Sequence, residues 1–233
     1  MGEGLIHLIP LPIHKEDEFN MDLISPIIKE TINNLNYFVV ENIRTSRRFI
    51  KKINPSFNID STKFVILDKR SDKKIINKII DDLKTGISVG VMSEAGCPGI
   101  ADPGQELCNL AHIHNIKIKP LIGPSSIIMA LMSSGLNGQK FTFHGYLPIQ
   151  KKERINKIKQ ISKINGSHIF IETPYRNDQL LNDLINNIKP TNKKLTIAID
   201  ITGENEKIIT KSIDQWKEFE INIKKQPTIF IFE

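Results

Sequence analysis

Ser88–Gly104, SVGVMSEAGCPGIADPG, decides the fold of this 233-residue chain. The run through Ser93 is short and apolar, as in a strand covered on both faces, and helical spacing resumes over Pro103–His114. Between them, the twelve residues Ser93–Gly104 hold three glycines and two prolines. Glycine takes backbone angles closed to other residues and lets a ligand approach the chain, while proline stiffens it. Pro103 suits the first turn of the following helix. Open α/β sheets bind ligands at the carboxyl ends of their strands, so this loop reads as a ligand wall rather than a plain turn. Its backbone can serve an adenosine or an amino-acid moiety.

Working outward, short apolar runs alternate with helical patterns, the signature of parallel strands joined by helical crossovers. Strands are expected at Leu5–Ile9, Tyr37–Glu41, Lys63–Leu67, Ser88–Ser93 and Ile116–Ile122. Helices fill Asp22–Asn34, Thr45–Ile53, Asp72–Leu83 and Pro103–His114, with a fifth after Pro124. Ile75/Ile76, Ile79/Ile80 and Leu83 keep the spacing of a helix with one face on a sheet, and Ser71 is its expected N-cap. Composition changes around Gly123–Gly138. Beyond it come strand Phe141–Tyr146, a basic helix Gln150–Lys163, strand Ser167–Glu172, helix Tyr175–Ile188, strands Leu195–Ile201 and Lys207–Lys211, helix Ser212–Phe219 and strand Thr228–Phe232. These strands follow one another closely, so a mixed sheet is expected. The reading is a two-domain α/β chain: residues 1–121 with a mostly parallel five-stranded sheet, and residues 122–233 with a mixed sheet.

The length accommodates two halves of roughly 100–120 residues. Hydrophobic residues at 39% and charged residues at 25% exclude a disordered chain. Thirty-two Lys and Arg against 26 Asp and Glu give a net charge of +6, which favours a polyanionic partner without requiring one. Cys97 and Cys108 are too few for a disulfide framework, and no Cys/His cluster has zinc spacing, so no metal is expected. With no basic leader and no apolar run of ~20 residues, the expectation is a cytoplasmic protein without a membrane partner.

Leu121–Ser126, LIGPSS, repeats the strand–turn–helix logic and supplies a second wall with free N–H groups and hydroxyls. His168–Arg176 ends a buried strand with Glu172, a turn and Tyr175. Two basic groups could hold phosphates: Arg44, Arg47, Arg48, Lys51 and Lys52, and then Lys151, Lys152, Arg154, Lys157 and Lys159. Arg44, Arg47 and Arg48 share one helical face.

The ordered set VENIRTSRRFI (residues 40–50), SEAGCPGIADPG (93–104), GPSS (123–126), FHGYLP (143–148) and IETPYR (171–176) resembles the tetrapyrrole methylase superfamily, within it the branch of 16S ribosomal RNA 2′-O-methyltransferases. The resemblance runs from Leu5 to Phe232. It implies two α/β domains, the second closing a cleft over S-adenosylmethionine, usually in a homodimer, with ribosomal RNA or the small ribosomal subunit as partner. By motif position, Glu94, Ala95, Gly96, Cys97, Pro98, Ile100, Ile122, Gly123, Ser125 and Ser126 would line the cofactor, joined by Glu172 and Thr173, with Ala198–Ile201 nearby. The RNA contacts would come from Arg44, Arg47, Arg48, Lys151, Lys152 and Arg154. The family carries no catalytic metal.

Some positions depart from the branch. Glu94 and Cys97 stand where it usually has Asp and Thr, and Pro10–His14 replaces a glycine-containing loop. The chain also lacks the C-terminal extension of many of those enzymes, as a short form would. Methyl transfer from a sulfonium is an in-line displacement, and a ribose hydroxyl gains from a general base. Candidates are Glu94, Asp102, Glu41 and His144, each with a structural role as the alternative: a cap, a turn or a satisfied polar group. Two other functions fit the pattern, a small-molecule methyltransferase of the same superfamily and a non-catalytic cofactor- or RNA-binding assembly factor.

Overall fold

The computed structural model describes residues 4–13, 21, 24–68 and 71–233. It divides into two compact units, the first running through Ser125 and the second beginning at Ser126. The division falls four residues after the expected boundary at Leu121. Ile122–Ser125 go with the first unit, where Gly123 packs on Pro10 and the Pro124 carbonyl meets Cys97.

The first sheet contains β1 (Ile6–Leu8), β2 (Tyr37–Val40), β3 (Lys63–Ile66), β4 (Val89–Met92) and β5 (Ile118–Pro120), all parallel, in the order β3-β2-β4-β1-β5. Its helices are α1 (Pro26–Asn33), α2 (Ile43–Ile53), α3 (Lys73–Lys84) and α4 (Gln105–Ile113). Strand residues alternate between two cores. Phe38, Val40, Ile9 and Met92 pack with Ile28, Ile32, Phe49 and Ile50 of α1 and α2. Tyr37, Val39, Val89 and Val91 pack with Ile76, Ile79, Ile80, Leu107 and Ala111 of α3 and α4. Covering both faces explains why β2 and β4 are apolar throughout. Gly90 belongs to the same packing, since a Cβ there would sit 2.8 Å from Ile9 and 2.9 Å from Phe38.

Right-handed crossovers explain the two layers. From β1 and β2 the chain moves one way across the sheet, and from β3 and β4 it moves the other way. Adjacent strands β1 and β4 therefore send their chains in opposite directions, which opens a crevice at their carboxyl ends.

The second unit contains α5 (Ser126–Ser134), β6 (Phe141–Tyr146), α6 (Lys151–Ile161), β7 (Ser167–Ile171), α7 (Asn177–Asn187), β8 (Lys194–Ile199), β9 (Lys207–Ser212), α8 (Ile213–Lys217) and β10 (Thr228–Phe232). Its sheet has the order β6-β7-β10-β8-β9, with β6 and β7 parallel and the other pairs antiparallel, the mixed pattern expected. Phe170, Phe230 and Phe232 face a core with Ile158, Leu184 and Trp216, while α5 packs on β8, β9 and β10. Ser212 and Gln215 form a capping box on α8.

Helix starts differ from the sequence reading where capping decides them. Helix α2 begins at Ile43, two residues early, because the Asn42 side chain accepts from the Arg44 and Thr45 amides. The cap of α3 is Asp72, not Ser71; the Ser71 hydroxyl instead engages Asp68. Helix α4 begins at Gln105 after Gly104, whose φ is 133°, so Pro103 precedes its first turn. His14 of the first expected loop, and residues 22 and 23 of the first expected helix, lie outside the described residues.

Candidate functional site

Three loops meet at the carboxyl ends of β1, β4 and β5. Leu11 donates its amide to the Gly96 carbonyl at 2.9 Å, and Gly96 donates back to Leu11 at 3.0 Å. This paired bridge ties the loop after β1 to the loop after β4. The Cys97 thiol donates to the Pro124 carbonyl at 3.4 Å, linking the loop after β5. Burial pushes that thiol above its usual range, so it keeps the proton it donates. A Cβ at Gly123 would lie 2.2 Å from Pro10 Cβ, so Gly123 is needed for the close approach of β5's loop to β1's. Gly96, Gly99 and Gly104 have φ of 65°, 81° and 133°. The conformational freedom implied by three glycines is used at every one of them.

The four proton-accepting candidates separate. Glu41 and Glu94 share one hydrogen-bonded cluster: the Glu94 amide donates to Glu41 Oε2 at 3.2 Å, and Asn42 Nδ2 donates to Glu94 Oε1 at 2.9 Å. Asp102 lies farther along the loop, lining a cavity of about 410 Å³ with Asp68, Ser71 and Gly99. His144 belongs to the second unit. Its Nε2 lies 3.0 Å from His168 Nδ1, and His168 Nε2 lies 3.0 Å from the Ile164 carbonyl. A carbonyl only accepts, so His168 carries its proton on Nε2 and takes a second bond from His144 Nε2–H. His144 also stacks on Phe170 at 5.1 Å. Burial, then the charges of His168 and Lys157, lowers its pKa to about 4.

In the second unit, Glu172 is 6% exposed at the end of β7. Its Oε1 accepts from the Thr173 amide at 2.7 Å and its Oε2 pairs with Arg176 at 2.8 Å. The carboxylate thus shapes its own turn, leaving Thr173 exposed. Ser126 opens α5, and Ala198 and Ile199 are buried in β8.

The basic groups diverge as well. Arg44, Arg47 and Arg48 are exposed on α2, with Arg47 3.4 Å from Asp60 and over the Phe64 ring. Lys151 and Lys152 are exposed on α6. Arg154 is not an RNA-facing residue: it is 1% exposed, pairs with Asp183 at 2.7 Å and donates to the Pro148 and Ile149 carbonyls. All its charge is spent holding α6 to α7 and the preceding loop. Among the described residues, no three His, Cys, Asp or Glu side chains gather as a metal site would need, and no helix is long and apolar enough to cross a membrane.

The family model for Tetrapyrrole (Corrin/Porphyrin) Methylases matches residues 20–216. The chain belongs to the tetrapyrrole methylase family. A relative named ribosomal RNA small subunit methyltransferase I, from Buchnera aphidicola subsp. Schizaphis graminum, is 33% identical over 99% of this chain and 78% of its own length. Its namesake in Vibrio cholerae is 29% identical over 89% of this chain and 68% of its own length. Among solved structures, the methyltransferase CobJ aligns with a TM-score of 0.64 and 14% identity, over 98% of this chain and 93% of that one. Diphthine synthase aligns equally well, at 0.64 and 14%, over 98% and 89%. At that identity, both speak for the fold alone.

Two residues of this tetrapyrrole methylase went unread in sequence. Asn42 caps α2 and holds Glu94 with the same side chain. Asn177, buried at the start of α7, donates to the Ile223 and Gln226 carbonyls and to Thr228 Oγ1, pinning the segment before β10 to the IETPYR turn. An Asn between a strand and a helix signals a cap. Nothing local signals its second partner.

Proposed function

We propose that the chain is an S-adenosylmethionine-dependent methyltransferase that acts on RNA of the small ribosomal subunit. The observation that carries this reading is the clasp of three loops at the strand-end crevice of the first unit, in a chain whose relatives by sequence are named for that reaction.

The first unit's residues fit the cofactor. A Cβ at Gly99 would meet nothing within 4 Å, and one at Gly96 would meet only the Pro124 carbonyl at 3.6 Å, so the backbone faces open space there. Ile100 and Ile122, 52% and 82% exposed, offer apolar surface suited to a purine. Ser125 and the backbone around Gly96 offer polar groups for the ribose and the amino-acid moiety. The sulfonium supplies an activated methyl group when bound. The loops' task is orientation, and the double bridge between Leu11 and Gly96 keeps that cost low because the segment is already held.

The finer reading assigns the ribose 2′-hydroxyl as acceptor. Of the four candidates, Glu94 and Glu41 combine a carboxylate with a place on the cofactor loop or hydrogen-bonded to it, and either can take the hydroxyl proton. His144 is held by His168 in a tautomer fixed from behind, and serves packing. The exposed arginines of α2 would bind phosphates, joined by Lys151 and Lys152. A cytoplasmic homodimer completes the reading, and equilibrium sedimentation checks the dimer.

Calorimetry with S-adenosylmethionine and with S-adenosylhomocysteine tests the cofactor site. Saturable binding is expected. No heat at millimolar ligand from a folded sample removes the enzyme reading.

A further inference from the structure

Asn42 stands between two elements that the proposed function uses for different ligands. Its Oδ1 accepts from the Arg44 and Thr45 amides and so starts α2, the helix carrying Arg44, Arg47 and Arg48. Its Nδ2 donates to Glu94 Oε1 at 2.9 Å, on the loop assigned to the cofactor. Glu94 returns the tie through its own amide, which donates to Glu41 Oε2 at 3.2 Å. Two residues along, Gly96 is fastened to Leu11, so a displacement at Glu94 is passed to the loop's glycine backbone rather than absorbed by slack chain. One side chain thus fixes both where the arginine helix begins and where the cofactor loop begins.

We propose that Asn42 is a positioning residue that couples RNA on α2 to cofactor on the Glu94–Cys97 loop. The inference rests on the assignment of those two ligands. Phosphates drawn to Arg44 load the first turn of α2, those drawn to Arg47 the second, and the Asn42 amide transmits that load to Glu94. Coupling of this kind is reciprocal: RNA tightens cofactor and cofactor tightens RNA by the same factor. A single net hydrogen bond sets its size at about fivefold in affinity.

The pair permits a donor–acceptor swap. Asn42→Asp keeps the capping oxygen but removes the donor and sets a second carboxylate against Glu94. Glu94→Gln alone keeps an acceptor for Asn42. The double variant Asn42→Asp/Glu94→Gln restores a hydrogen bond with its direction reversed. Asn42→Ser caps a helix but has no amide.

The experiment is equilibrium dialysis of labelled S-adenosylhomocysteine against the full chain, with and without purified small ribosomal subunits, folding being verified by circular dichroism. The wild type should bind about fivefold tighter in the presence of subunits. The ratio should fall to one in Asn42→Asp and in Asn42→Ser, persist in Glu94→Gln and return in the double variant. A wild-type ratio of one, a ratio that persists in Asn42→Asp and Asn42→Ser, or a double variant that stays at one overturns the coupling and leaves the proposed function standing. No binding of S-adenosylhomocysteine by the wild type overturns both.

Discussion

Helix α2 holds Arg44, Arg47, Arg48, Lys51 and Lys52, and helix α6 holds Lys151, Lys152, Arg154, Lys157 and Lys159. Each follows a strand, and in sequence the two look interchangeable. In the structure, α2 keeps its three arginines exposed beside the loop that carries Glu94, whereas α6 turns Arg154 inward onto Asp183. The difference lies in the partners. Asp183 sits on α7, where a buried carboxylate needs a cation, while α2 meets Asp60 only at the surface. Charge at helical spacing therefore marks a solvent-facing surface only where no buried acid claims it.

The largest expected effect breaks the α6 side. Arg154→Ala leaves Asp183 buried without its cation and should cost about 3–5 kcal/mol of stability by urea unfolding. Replacing both partners by apolar residues should recover most of it. A loss of RNA affinity at unchanged stability would mean that Arg154 works at the surface after all.

Gly96→Val comes next and separates the loop proposed to hold the cofactor from both helices. A branched residue at φ 65° should cost about 1–2 kcal/mol and lower S-adenosylhomocysteine affinity at least about tenfold by calorimetry. Unchanged affinity would put the pocket elsewhere.

On the α2 side, replacing Arg44, Arg47 and Arg48 together by Gln should leave stability within about 0.5 kcal/mol per site. The logarithmic salt slope of RNA binding should fall by about 2–3 units, with cofactor affinity spared. An identical slope would shift the phosphate-binding role to Lys151 and Lys152.

The smallest effect concerns the histidine pair beneath α6. Burial lowers the pKa of both His144 and His168, so the folded state binds their protons less readily than the unfolded chain. Their contribution is complete above the unfolded value near 6.5 and is lost as the pH falls toward about 4, the folded value for His144. Unfolding curves for His144→Gln should show a shallower loss across that window than the wild type. Parallel curves would contradict the neutral, partly buried pair.

The strands were legible because burial on both faces leaves little choice of residue: Tyr37–Val40 and Thr228–Phe232 read as strands from composition alone. The glycines of the loop after β4 were legible for a similar reason, since few residues other than glycine hold φ values like those of Gly96 and Gly99. Helix starts were less so, because whether Ser71 or Asp72 caps α3 depends on a hydrogen bond to Asp68. Long-range partners were not legible at all. Arg154 and Asp183, or Asn42 and Glu94, are far apart in sequence, and neither member carries a local sign of the other. One role of Gly123 has no local sign in the sequence: besides its expected place beside the cofactor, it leaves the room that Pro10 occupies.

The most direct test of the central claim is labelled-methyl transfer from S-adenosylmethionine to small ribosomal subunits isolated from a strain lacking this gene, followed by nuclease digestion and mass spectrometry. Methyl incorporation into small-subunit ribosomal RNA, on a ribose, is the predicted result. A folded protein that binds the cofactor and yet leaves that RNA unlabelled would contradict the account.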